Sequence, residues 1–82
     1  MNLTWLERLM ASKGITYHAL RKEHHVSWGT LQAWAAGGTA RAFVVRKLAA
    51  ALSVEVPWLV RNAGIKMADE RKRVAKMLRR KV

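Results

Sequence analysis

Turn signals recur along this chain at intervals too short for any long element. Gly14-Ile15-Thr16, Val26-Ser27, Gly37-Gly38, Pro57 and Gly64 divide it into short segments. Between these signals apolar residues return at helical rather than alternating spacing, so the segments read as short α-helices and strands find little support. Short amphipathic helices cannot hold themselves together; they fold by burying their stripes against one another. The chain has 82 residues and no Cys. It is therefore expected to be one small all-α domain that buries roughly 60% of its unfolded surface, without disulfide or thiolate-metal staples.

The first helix is predicted over residues 5 to about 13, with Thr4 and Glu7 forming a capping box and Leu6, Leu9 and Met10 forming a short stripe. Gly14 is placed to end it in the left-handed conformation. Thr16 is the expected N-cap of a second helix, residues 17–24, with Leu20 as its core residue. Ser27 caps a third, 28–36, which Gly37 and Gly38 terminate. A fourth spans 42–52, with Val45, Leu48, Ala49 and Leu52 inward. Pro57 suits the first turn of a fifth, where its missing N–H costs nothing; that helix carries Trp58 and Leu59 and stops by Gly64. Trp58 is expected in the core; Trp5 is read as core or as an exposed dimer surface.

Charge then narrows the partners. The net charge is +11 and the isoelectric point is near 11.5. Seven Lys/Arg face three acids before residue 61; nine face two from there on. Such an excess favours a polyanion, nucleic acid before an anionic membrane surface. No apolar run approaches the ~20 residues that span a bilayer, and the first twelve residues lack the order of a signal peptide. The expectation is a soluble, cytoplasmic protein.

Against that basic background, residues 26–40, VSWGTLQAWAAGGTA, hold no charge at all. Helices two and three are joined by a few residues, the spacing of a helix-turn-helix. On helix three, Leu31 and Trp34 define the inward side; Gly29, Gln32, Ala33 and Ala36 then point outward, with Trp28, Thr30 and Ala35 on the flanks. A small uncharged outer face suits a helix lying in a major groove, where base edges are read by hydrogen bonds and methyl contacts. Gln32 can pair with adenine, Thr30 can donate or accept, Ala33 and Trp28 can pack on thymine methyls, and Gly29 lets backbone approach. Arg21 and Lys22 upstream and Arg41 downstream would sit against phosphates. The alternative is a helix buried all round.

These residues resemble a known family. Gly14-Ile15-Thr16, Leu20, Val26-Ser27, Leu31, Trp34, Gly37, Leu48-Ala49, Ala51-Leu52, Val54 and Trp58-Leu59 are similar to the pattern of the Cro/repressor (XRE-type) helix-turn-helix domain of lambdoid phages and bacterial regulators. The resemblance covers about two-thirds of the chain. It implies a compact five-helix bundle over residues 1–62, followed by a basic C-terminal helix or tail, 63–82. It implies duplex DNA as partner, with Trp28, Gly29, Gln32 and Ala33 facing bases and Thr30 nearby. It puts Tyr17 and Arg41 on phosphate, joined in our assignment by Thr16, Arg21 and Ser27. The expected protein is a phage or prophage Cro-like repressor that binds a palindromic operator as a homodimer. Three positions depart from the family: Arg21 replaces a small residue, His25 replaces a turn Gly and must turn left-handed, and Ala35 replaces an acid.

Other chemistry finds little support. His18, His24 and His25 do not converge and have few carboxylates nearby, so no metal is expected. Ser12, Ser27 and Ser53 each have a cap or turn explanation, no nucleophile–base set or phosphate loop appears, and neither an enzyme nor a cofactor is expected. Residues 65–82 are helix-prone and basic. They read either as a tail with nonspecific DNA affinity, through Arg71-Lys72-Arg73 and Arg79-Arg80-Lys81, or as a helix with a broken stripe of Met67, Val74, Met77 and Leu78. The second reading allows an antitoxin-type module that binds a protein partner and autoregulates its own operon.

Overall fold

The computed structural model describes residues 1–68, which form five α-helices: α1 (Leu3–Ser12), α2 (Tyr17–His24), α3 (Trp28–Ala35), α4 (Ala42–Leu52) and α5 (Val56–Ala63). The all-α five-helix expectation holds. Expectations for residues 69–82 lie outside the described residues.

Local chemistry sets most boundaries. Thr16 caps α2, its hydroxyl oxygen accepting from the Ala19 N–H at 3.1 Å, and Ser27 caps α3 by accepting from Thr30 N–H at 3.2 Å. Gly14 (φ +68°) closes α1: its N–H reaches Ala11 O at 3.1 Å while Ile15 N–H reaches Met10 O at 2.9 Å, the paired bonds of a Schellman ending. Ser53 makes the same ending on α4 at φ 55°, and His25 ends α2 at φ 56°, the left-handed geometry its place in the turn demanded.

The start of α1 differs from expectation. The cap is Asn2, whose Oδ1 accepts from Trp5 N–H at 3.1 Å, and Thr4 already lies within the first turn. No Thr4–Glu7 box forms. Asn2 N–H is tied to Ala63 O at 2.7 Å, at the end of α5, and this long-range bond fixes where the helix can begin.

Each helix gives one stripe to a single core. α1 packs on α3 and α5, and α4 packs on α2 and α5. Leu6, Leu20, Leu31, Leu48, Leu52 and Leu59 are fully buried with Val26 and Val45, and no polar or charged residue among those described is buried with them. Side chains of this size contribute about 1.5–3 kcal/mol each when buried, the main term holding so small a domain together.

Trp58 does not enter the core. Leu59 and Ala63, four apart, take the inward stripe of α5, so Trp58 is rotated outward, stays 41% exposed and leans on half-buried Trp5 (centroids 5.7 Å apart, 51° between planes).

The packed unit runs past residue 62. Ala63 and Ile65 are buried, and the next residues pair with the loop before α4 as a single parallel bridge, Ala40 to Met67. Ala40 N–H donates to Lys66 O at 2.7 Å, and Ala68 N–H donates to Ala40 O at 2.8 Å. Residues 65–68 are thus not the start of a helix. No helix among the described residues is long and apolar enough to cross a membrane.

Candidate nucleic-acid interface

The surface of interest begins with the burial pattern of α3. Leu31 and Trp34 are buried; Gly29, Gln32, Ala33 and Ala36 are exposed; Thr30 and Ala35 are half-buried. The alternative of a helix sealed on all sides is thereby removed. The exposed face carries no charge and rests on an anchored apolar side. Its far end is fixed by a close approach of backbone to backbone. Gly38 N–H donates to Ala33 O at 2.9 Å, and a β-carbon at Gly38 would fall 2.7 Å from that oxygen, so the turn after α3 admits no side chain there.

The start of α3 meets α2 across the short turn. Tyr17, His18, Arg21, Ser27, Trp28 and Gly29 line one open cleft of ≈ 360 Å³. Five of the sequence-assigned residues (Tyr17, Arg21, Ser27, Trp28 and Gly29) therefore share one concavity. Arg21 is exposed and turns outward to this cleft rather than intruding on the core. Gly29 leaves space beside it: a β-carbon there would find only Ser27 Oγ, at 4.0 Å. Gln32 and Ala33 lie further along the same exposed helix.

Other assigned residues stand apart or are already engaged. The Thr30 hydroxyl is 2.9 Å from Ser27 Oγ, and the Thr16 oxygen is occupied as a cap, though its own proton is free to donate outward. Arg41 lies outside the cleft, exposed at the N-cap of α4 without a side-chain cap bond. Its position is held through Ala40, whose N–H and C=O are both committed to the 66–68 segment.

Sequence reading missed two residues here. Glu7 accepts a hydrogen bond from the Tyr17 hydroxyl at 2.7 Å, joining α1 to α2. Burial and then this carboxylate push the phenol up from its ordinary 10 to about 12, with the neighbouring Trp28 side chain pulling the other way. A phosphate at Tyr17 must therefore compete with Glu7. The second is His18, next to Tyr17 and one turn before the indicated Arg21, whose place in the cleft depends on how α2 meets α3. Among the described residues no three of His, Asp or Glu gather as metal ligands do.

Comparison with protein-family models, with curated proteins and with solved structures finds no match to this chain.

Proposed function

We propose that this protein is a non-enzymatic, sequence-specific regulator that binds duplex DNA through α3, acting as a Cro-like repressor on a palindromic operator. The observation that carries the reading is the uncharged outer face of α3, bared by Gly29, Gln32 and Ala33 in a chain of net charge +11. Phosphates are held by charge, and bases are read by small polar and apolar groups. Arg21 and Arg41 supply the first at either side; Gln32, Ala33 and Trp28 supply the second. Two copies would set their α3 helices about one DNA turn apart, ~34 Å, on symmetric half-sites. Such a repressor works in the cytoplasm, and its affinity falls steeply with salt as phosphate contacts release counterions.

Selection from a random-sequence duplex pool, followed by footprinting, tests the reading. The expected result is a symmetric site. Gln32→Ala weakens that site more than scrambled duplex, by roughly 1–3 kcal/mol, the worth of a bidentate base contact. Arg41→Ala weakens both alike and lowers the salt slope by about one. No preferred sequence, or a salt-independent affinity, overturns it.

A further inference from the structure

α5 carries its largest side chain on the outside. Trp58 is 41% exposed, and its ring is steadied from α1 by Trp5, whose centroid lies 5.7 Å away. Tryptophans held rigidly at a surface are the commonest anchors of protein interfaces. The neighbours of this one decide what it can meet. Asn62 is turned back on its own helix, where Nδ2 donates to Trp58 O at 2.8 Å. That leaves Glu55, three residues before Trp58, and Arg61, three residues after, both exposed.

Neither charge is used inside the fold. Glu55 stands at the N-cap of α5 yet makes no side-chain cap bond. Among the described residues neither Glu55 nor Arg61 has an ion pair. Residues three apart are neighbours on a helix surface, so Glu55, Trp58 and Arg61 form one slanting row: acid, aromatic, base. Such a row is its own complement. Turned end for end about a two-fold axis through Trp58, it sets the Glu55 of each copy beside the Arg61 of the other, with the two indoles between. Self-complementarity of this kind is the condition an isologous interface must meet. Two chains that each carry +11 repel one another, and a row whose own charges cancel is where they can come close.

We propose that the Glu55–Trp58–Arg61 row of α5 is a self-pairing face, on which a second copy of this chain docks with its own row antiparallel. None of the three residues lines the cleft between α2 and α3. The proposal gives a contact surface to the two-copy arrangement of the duplex-binding reading above, and it is tested without DNA so that the two can fail separately.

The test is sedimentation equilibrium of the full chain over a range of concentrations at one salt. The wild type should pass from monomer to dimer. Trp58→Ala should raise the concentration of half-association by at least about thirtyfold, as loss of a central anchor does. Glu55→Arg and Arg61→Glu each bring like charges together twice per dimer and should raise it by at least about tenfold. An equimolar mixture of these two variants should associate as readily as wild type, because both cross-pairs are then of opposite sign. The chain carrying both substitutions should do the same. That double exchange separates pairing from a merely structural role. Glu55 and Arg61 also suit the dipole of their own helix, and reversing both is the most unfavourable arrangement for α5. If the charges serve only that helix, the double variant melts lowest and the mixture stays monomeric, which overturns the proposal. So does a wild type that stays monomeric up to concentrations on the order of 1 mM, or a dimer indifferent to Trp58→Ala or to either charge reversal. Duplex recognition through α3 is judged separately, by the site selection above.

Discussion

Tyr17 shows how a side chain placed by local sequence can carry a partner that local sequence does not name. It is the first residue of α2, and that much is legible in the chain. Its actual partner, Glu7, lies ten residues back and looks from its spacing like half of a capping box. Nothing local connects the two; only the packing of the first two helices brings them together. The consequence is measurable, because Tyr17 is the single tyrosine. Its folded value of about 12 exceeds the ordinary 10, so the neutral phenol is favoured in the fold. The stability this adds is complete below pH 10 and is lost as pH rises from there towards 12. Near-ultraviolet titration of tyrosinate should therefore give a midpoint near 12 in the folded protein. Glu7→Gln should bring the midpoint only part of the way back, since burial is the larger cause. A midpoint at the ordinary value in the wild type contradicts the Glu7 contact.

Helices two, three and four were legible nearly to the residue, and in the first two the N-caps are local. Thr16 and Ser27 each bond an N–H three residues on, a geometry that needs no tertiary help. The beginning of α1 was not legible, because Thr4 and Asn2 are both competent caps and the choice between them rests on the Asn2 N–H to Ala63 O bond. Asn2→Ala should cost about 1 kcal/mol, seen as a fall of roughly 4–8 °C in Tm for a domain this size. Thr4→Ala should leave the melt almost unmoved. The reverse pattern would restore the Thr4 box. α5 teaches the same lesson about faces. A Trp-Leu pair offers two apolar residues for one inward position, and the register of Leu59 with Ala63 sends the larger one out.

At the scale of the molecule, the boundary of the packed unit matters more than any single helix. A cut after Asn62 removes Ala63 and Ile65 from the core and frees both backbone groups of Ala40. A chain ending there should lose at least about 2 kcal/mol, the worth of burying one large aliphatic side chain. A chain ending after Ala68 keeps these contacts and should melt above the one ending after Asn62. On the duplex-binding proposal it should also lose DNA affinity at low salt, because seven of the sixteen Lys/Arg lie beyond that point against two acids. Equal melts for the two shortened chains would show that the Ala40 pairing contributes nothing. The same pairing holds the residue before Arg41, so the loop assigned to phosphate depends on a segment nearly thirty residues further along.

The sequence by itself determined the five helices of the described residues, the turns that separate them, the inward side of α3 and the charge of the chain around it. All of these follow from near neighbours: periodic burial, cap chemistry and the sum of ionised groups. Tertiary structure alone decided which cap starts α1, which aromatic stays outside, that residues 63–68 close the fold, and that Glu7 steadies Tyr17 beneath Trp28. Those choices are contests between equally suitable local groups. They are settled by contacts between residues far apart in the chain, which no short-range pattern records.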